Sequence, residues 1–390
     1  MTKAIIIRGG PAGFAAALQL CRQNKFTCVV YELRSCPSTL GGAVGVPRNG
    51  SRLLARLAVT SDVTMHLKQG AILGRVDITS WSEFKTGYPY LRVREDAGDI
   101  LLGCDGIHFD VRTMYVDPFT QLEYSGLAFI FSVLTNPRFT DTTPIQDLNA
   151  TLTADGLFAV IPSDSAANEV YWFFTEEVPM LDGGDSRDGW EARRKLAMEH
   201  FKDKLVHGAL RQVEGEWGSF LKKLVIDSES VKFYPIFRLP LSSNWFKGRA
   251  LLLGDAAHAM QPHAGQGVAM ALEDVFLLSR LFQSLPVTSA QKSIRQVYTR
   301  FEELRRPRVE MYHKAAANGG EMRKRMPSWK LALFEKVCLH RLWVFNMLGL
   351  NRMGMSGSQG TLVYDIESVP LWHQSRLACA TRIVSNNILE

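Results

Sequence analysis

The sequence lacks the cysteine spacing of a redox-disulfide enzyme or of a zinc site. Its six cysteines are spread along 390 residues, and no two of them form a Cys-x-x-Cys pair. They are Cys21, Cys28, Cys36, Cys104, Cys338 and Cys379. We therefore expect neither a catalytic dithiol nor a bound metal.

Long apolar runs are also missing. The first apolar stretch, 4–7, is too short for the hydrophobic part of a secretory signal, which favours a cytoplasmic protein. The late stretch 329–355 is apolar, but several charged or titratable residues interrupt it, so we predict no transmembrane helix. Peripheral contact of this stretch with a membrane stays open.

The charge surplus is small for a chain of this length. The formal net charge is +6, and the basic residues are scattered rather than arranged in one stripe. This distribution gives little support for nucleic-acid binding and is compatible with small anionic ligands.

Residues 3–34 have the pattern of a βαβ unit that binds a dinucleotide. Short apolar runs at 4–7 and 26–31 predict strands, and an alanine-rich stretch at 11–22 predicts the helix between them. Gly10 would let the backbone approach a pyrophosphate, and Gly13 would let the helix pack closely on the first strand. Glu32 follows the second strand, where an acid can bind a ribose hydroxyl.

One position of this fingerprint departs from G-x-G-x-x-G. Arg8 stands where the first glycine is expected. Its side chain either crowds the tight turn or lies along a phosphate, and the sequence leaves both readings open. An α/β unit without a nucleotide is the alternative for the whole segment.

A second motif lies at 249–274. An apolar strand ends at Asp255, and a helical pattern begins near Gly265 and Gly267. Asp255 can accept hydrogen bonds from sugar-like hydroxyls, and the glycines let a ligand approach the N–H groups of the helix start. The alternative is an ordinary strand-loop-helix connection with Asp255 as a cap. A third apolar strand, at 99–103, leads to Asp105, which alone would be read as a turn residue.

The remaining segments predict a two-part enzyme. Residues 113–230 contain short β-rich runs followed by a charged helical segment at 187–210, which predicts an inserted antiparallel sheet with a helix. We divide the chain into a discontinuous unit at 1–112 and 231–300, the insert at 113–230, and a basic helical region at 301–390. The fold class is therefore α/β.

The three motifs, in their order along the chain, resemble those of the flavoprotein aromatic hydroxylases. These are the enzymes of the p-hydroxybenzoate and salicylate hydroxylase type, and the fungal secondary-metabolite (paxilline-type) FAD-dependent monooxygenases resemble this chain most. The resemblance is carried by GGPAGFAAA with Glu32, GCDGIHFDVR at 103–112 and GDAAHAMQPHAGQGVAMALED at 254–274. It extends to 41–57, 170–174 and 301–309.

The resemblance implies a Rossmann-like FAD-binding domain with an inserted β-sheet substrate domain above the flavin ring, and a helical C-terminal region. It implies FAD as cofactor, NAD(P)H as a transient co-substrate, and O2 with a small organic molecule as reactants. The expected reaction is hydroxylation or epoxidation of an aromatic or polyketide- or terpenoid-type secondary metabolite. A flavin oxidase or dehydrogenase, and a non-catalytic remnant, are the alternatives. The oligomeric state is not predicted.

The resemblance also assigns candidate site residues. Those expected to bind the cofactor are Gly10, Gly13, Glu32, Gly45, Arg94, Asp105, Arg112, Asp255, Gly265, Gly267 and Val268. Tyr171, within the aromatic run 171–174, and Arg238 are the candidates for a substrate pocket and catalysis. His258 and His263 flank the flavin loop, where structural roles are at least as well supported. Around Arg94, the family's Arg-x-Asp-Leu helix and the strand after it are missing, which predicts an exposed sheet edge.

Overall fold

The computed structural model describes residues 2–32, 45–57, 96–107, 110–135, 148–163, 169–179, 187–284, 290–347 and 364–372. The strands in these ranges are β1 (Lys3–Ile7), β2 (Thr27–Tyr31), β3 (Ile100–Gly103), β4 (Glu123–Thr135), β5 (Asn149–Thr153), β6 (Gly156–Pro162), β7 (Glu169–Glu177), β8 (Lys232–Arg238), β9 (Phe246–Lys247) and β10 (Ala250–Leu252).

The α-helices are α1 (Pro11–Asn24), α2 (Arg48–Arg56), α3 (Arg187–Asp203), α4 (Gly215–Asp227), α5 (Asp255–His258), α6 (Gly267–Gln283), α7 (Ala290–Glu321) and α8 (Ser328–Met347). π-Helical segments lie at Arg112–Val116 and Lys204–Ala209, and 3-10 turns at Pro262–Ala264 and Ile366–Ser368.

The first sheet has the order β2-β1-β3-β10-β9. The first four strands of this order are parallel, and β9 is antiparallel to β10. Ile6, Leu102 and Leu251 are fully buried in the core of this unit, and α1 packs against α6. Their short, continuous apolar runs are typical of parallel strands with both faces covered. The predicted βαβ unit is therefore confirmed.

Among the described residues, β2 forms an edge of this sheet, and most of its residues are only half-buried. Arg94 itself, and most of the segment around it, lie outside the described residues.

The second sheet is antiparallel, with the order β5-β6-β7-β4-β8. On one face, Phe158, Trp172 and Phe174 are fully buried in a core that also contains Leu221 of α4. Alternation along β7 then turns Tyr171 and Phe173 to the other face. This is the inserted sheet that the sequence predicted.

Two limits of the sequence-based division need correction. β8 pairs with β4 in the second sheet, so the insert extends to Arg238 rather than ending at 230. α7 runs through the predicted limit at 300, and its Arg305 is buried against Asp274 of α6. The division into two parts stays a proposal with these limits moved. Of the helices in the described ranges, none is long and apolar enough to cross a membrane.

Candidate active site

The carboxyl ends of three parallel strands meet at one edge of the first sheet. Ile7 pairs with Gly103, and Gly103 pairs with Leu252. The segments that follow these three residues contain the glycine turn, Asp105 and Asp255. Open α/β sheets bind ligands outside such strand ends, so the fold brings the three sequence motifs to one place.

The glycine turn after β1 is tight and strained at one residue. Arg8 has φ +77°, a left-handed conformation that favours glycine. A Cβ on Gly13 would lie 2.0 Å from the Arg8 carbonyl oxygen, so this close approach of helix and strand requires glycine. Gly10 has ordinary angles, and a Cβ there would meet nothing within 4 Å. The oxygen Oε2 of Glu32 accepts a hydrogen bond from the Gly9 N–H at 2.7 Å.

Asp105 has one carboxylate oxygen without a partner among the described residues. Its Oδ2 accepts a hydrogen bond from the Val111 N–H at 3.0 Å, while the buried Oδ1 accepts none from the described residues. Burial raises the pKa of Asp105. A buried acceptor without a donor is costly. A ligand hydroxyl would meet this need.

Asp255 begins α5 directly after Gly254, whose φ is +60°. Desolvation by the surrounding protein atoms raises the pKa of Asp255. The nearby Asp274 raises this pKa further, and His258 lowers it. The Asp255 side chain nevertheless remains open to solvent. A Cβ on Gly267 would meet only the Asp255 Oδ1, at 4.0 Å. The start of α6 therefore faces open space beside an acid.

The other residues expected near the cofactor differ in their surroundings. Gly265 has φ +61°, and a Cβ added there or at Gly45 would meet no atom of the described residues within 4 Å. Val268 is half-buried against the core. Arg112 is fully buried and donates to the carbonyl oxygens of Ala256 (2.7 Å) and Ala257 (3.0 Å). Arg112 thus supports the turn that carries Asp255, and direct contact with a cofactor stays a prediction.

A buried charged network behind the Asp255 turn was not predicted. Asp274 accepts hydrogen bonds from the Gly254 N–H (2.9 Å) and the Arg305 Nε (2.8 Å), and its Oδ2 lies 2.8 Å from His258 Nε2. Burial alone would raise the pKa of Asp274, but His258 and Arg305 hold it below its usual value. Asp274 therefore ties the turn to α6 and α7.

The neighbouring Glu273 extends this network. It accepts from Arg305 Nη1 (2.8 Å), from Arg308 Nε (2.7 Å) and Nη2 (2.8 Å), and from Asn49 Nδ2 (2.8 Å). Asn49 also donates to Gln266 Oε1 at 3.0 Å. The available signal was an acidic pair inside the largely apolar first part of α6, because buried acids require cationic partners.

An aromatic face of the second sheet contacts the 3-10 turn Pro262–Ala264. This face carries Phe129, Phe131, Tyr171, Phe173 and Tyr234, placed together by the register of β7, β4 and β8. The ring centroids of Phe129 and His263 are 5.8 Å apart, so the sheet contacts the 3-10 turn that precedes α6. Phe129 and Phe173 pack edge to face at 5.3 Å.

His263 lies between this face and α7. A Cβ on Gly320 would lie 3.3 Å from the His263 Cδ2. Its Nε2 is buried without a partner among the described residues. Burial, together with the charge of Arg323, lowers the pKa of His263 to about 3. His263 is therefore neutral near pH 7.

The two candidates for catalysis do not lie together, which corrects the idea that they act on one substrate. Tyr171 pairs with Val133 in the sheet, whereas Arg238 pairs with Glu123. These partners stand ten residues apart on β4, a separation of roughly 30 Å along a strand. Arg238 Nε also forms an ion pair with Glu123 at 2.9 Å. Tyr171 is the candidate that lies on the aromatic face.

Within the described ranges, no group of three or more His, Cys, Asp or Glu side chains is arranged to hold a metal ion. The acids that follow the strand ends instead stand close in sequence to glycines at which an added Cβ would meet few described atoms, an arrangement that fits an organic ligand with hydroxyl groups.

Comparison with known proteins identifies relatives of this site. Residues 226–313 match the family model described as FAD binding domain. The chain is 27% identical over 325 residues to 2-heptyl-3-hydroxy-4(1H)-quinolone synthase of Pseudomonas aeruginosa, covering 82% of this chain and 76% of that protein. It is 24% identical over 386 residues to FAD-dependent monooxygenase penM of Penicillium crustosum, covering 80% and 77%.

A solved structure has the same fold. The substrate complex of salicylate hydroxylase matches with a TM-score of 0.65 at 16% identity, over 94% of this chain and 96% of the other. The matched lengths include both sheets.

Proposed function

We propose that this chain is an FAD-dependent monooxygenase that uses NAD(P)H and O2 to hydroxylate or epoxidise an apolar aromatic or polyketide- or terpenoid-type metabolite. The match of residues 226–313 to the FAD binding domain and the similarity to an FAD-dependent monooxygenase support this proposal. FAD, when bound, supplies the redox chemistry by accepting a hydride and activating O2. The protein contributes binding, orientation and exclusion of water.

The open positions at the strand ends fit FAD. Gly10 leaves room for the pyrophosphate, and the unmet Oδ1 of Asp105 offers an acceptor for a hydroxyl. Asp255 would hold the ribityl chain, and the N–H groups at the start of α6 would face the flavin. The Glu32 carboxylate accepts a hydrogen bond from the Gly9 N–H of the glycine turn, and beside this turn it would bind the ribose.

The aromatic face of the second sheet is the observation that carries the proposed substrate class. Phe129 packs on Phe173 and also contacts His263, in the turn before α6, while Phe131 packs on Tyr171 of the same face. An apolar ring system gains from burial against such a surface by roughly 25 cal/mol per Å². The face therefore favours an apolar substrate over a small charged one.

Tyr171 offers the polar group on this face. Its side chain is largely buried, and burial raises the pKa of its hydroxyl, so it stays protonated near pH 7. We infer that it donates a hydrogen bond to a substrate oxygen and orients the ring, rather than acting as a base.

The experiment follows NAD(P)H oxidation by the FAD-loaded protein with a panel of aromatic and polyketide-type compounds under isotopically labelled O2. The proposal expects substrate-stimulated NAD(P)H oxidation and a product that gains one labelled oxygen atom. Oxidised product without labelled oxygen would identify an oxidase or dehydrogenase instead. Absence of both in a protein that holds FAD would contradict the proposal.

A matched pair of variants tests the aromatic face. Phe173→Ala should raise KM for the substrate about tenfold, the equivalent of roughly 1.4 kcal/mol, with FAD affinity unchanged. Phe119→Ala is the control, because Phe119 is 94% exposed. Equal KM values for both variants would place the substrate elsewhere.

A further inference from the structure

Helix α8 exposes far more apolar surface than a helix that packs on a protein core. Of its described side chains, only Leu331 is buried. Trp329 is 70% exposed, Trp343 is 59% exposed and Met347 is 63% exposed, and Leu333 is also exposed. Contiguous exposed apolar surface of this kind marks an interaction site.

These side chains form one line along the helix. Trp329 and Met347 stand 18 residues apart, which is five full turns at about 3.6 residues per turn, so they point the same way. Leu333 and Trp343 lie within about 40° of that line at about 100° per residue. Leu331 lies on the opposite side. The face thus runs the length of α8, about 30 Å.

Positive charge accompanies this apolar line. Lys336 lies on it. The His340 ring also lies on this line and stacks on Trp343 with the ring centroids 5.9 Å apart, which adds aromatic surface. Lys330 and Arg341 are exposed about 100–120° around the helix from this line, while Glu335 is the acidic residue of the helix. Lysine and arginine can bury their carbon stems against apolar surface while their charged ends reach outward to anions.

We propose that α8 binds the surface of an anionic lipid bilayer, lying in its plane. Tryptophans near both ends would sit at the headgroup level, and the cations would meet lipid phosphates. A second copy of the chain fits this face less well. Packing α8 on α8 would bring Lys336 of the two copies toward each other, and like charges in contact repel.

The attachment would also serve a substrate that partitions into membranes. α8 follows α7 after a short connection, and the end of α7 contacts the flavin loop at His263. The inference itself stands on α8 alone. Its test therefore measures binding and not turnover.

The test is co-sedimentation of the purified full chain with vesicles of phosphatidylcholine alone or mixed with phosphatidylserine. We expect at least about tenfold stronger partition to the mixed vesicles, weakened by added salt. The double variant Trp329→Ser and Trp343→Ser should lower this partition about tenfold or more. Both side chains are exposed, so flavin absorbance and thermal unfolding should stay unchanged.

Phe119→Ser is the matched control, since it removes an exposed ring outside α8. Lys336→Gln with Arg341→Gln should weaken binding to the mixed vesicles and leave the weak binding to phosphatidylcholine unaltered. Equal sedimentation with and without vesicles would overturn the proposal. So would a double tryptophan variant that binds like the wild type, or one whose only change is conversion of a dimer to a monomer without lipid.

Discussion

Asp274→Asn tests whether the buried network supports the Asp255 turn. Asp274 receives Arg305 on one carboxylate oxygen and the Gly254 N–H on the other, whose neighbour is His258. An asparagine has one acceptor oxygen, so its NH2 group must face one of these donors. Arg305, fully buried, also loses one of its two charged partners.

The magnitude follows from the burial of the pair. Breaking a buried ion pair while its partner stays in place costs about 3–5 kcal/mol. For 390 residues, an unfolding entropy of about 2.1 cal/mol/K per residue gives about 0.8 kcal/mol per °C. We therefore expect Tm to fall by roughly 4–6 °C. A looser Gly254 should also weaken FAD binding, by about tenfold.

The assay is thermal unfolding of the apoprotein together with a titration of FAD by fluorescence quenching. Asp155→Asn is the control, since Asp155 pairs with Arg325 at 3.2 Å on the surface and such pairs contribute about 1 kcal/mol or less. If Asp274→Asn unfolds within 1 °C of this control, about the limit of what the surface pair can contribute, the network does not hold the turn.

Three further predictions concern single positions. Gly13→Ala should lower Tm by about 4 °C because its Cβ would lie 2.0 Å from the Arg8 carbonyl oxygen. Gly10→Ala should leave the Tm of the apoprotein unchanged and weaken FAD binding about tenfold. The reverse pattern in thermal unfolding and FAD titration would contradict these roles. Arg8→Gly should raise Tm by about 1 °C because glycine adopts the positive φ without steric strain, whereas Arg8→Ala keeps that strain and should not raise Tm. Equal melting curves for the two variants would show that this conformation costs little. His263 has a pKa depressed to about 3, so its contribution to stability is present above its unfolded pKa of about 6.5 and declines as pH falls toward the folded value. Between pH 6.5 and 5 the wild type should lose up to about 2 kcal/mol more than His263→Asn, measured by melting at both pH values; parallel losses would argue against a buried neutral imidazole.

The local motifs could be predicted from the sequence because each depends on residues close along the chain. The apolar runs at 4–7 and 26–31 flank an alanine-rich helical stretch. The backbone of Arg8, only five residues away, requires a glycine at Gly13. The aromatic run at 171–174 likewise predicted its own alternation, with Trp172 and Phe174 in the core.

Long-range relations could not be predicted in this way. Arg305 reaches Asp274 across 31 residues, and nothing in either segment specifies the other as its partner. The sequence alone is compatible with Tyr171 and Arg238 in one pocket, but the order and register of β7, β4 and β8 place them at opposite ends of the sheet. The same strand register, which no local sequence pattern specifies, assigns β8 to the second sheet.

The flavin absorbance spectrum of the purified protein, compared with that of Asp255→Ala, tests the central claim most directly. The wild type should carry equimolar FAD or take it up on reconstitution, and Asp255→Ala should lose it while unfolding at the same temperature, because the Asp255 side chain is exposed. A colourless wild type that cannot be reconstituted with FAD would contradict the account, and so would an Asp255→Ala variant that binds FAD as tightly as the wild type.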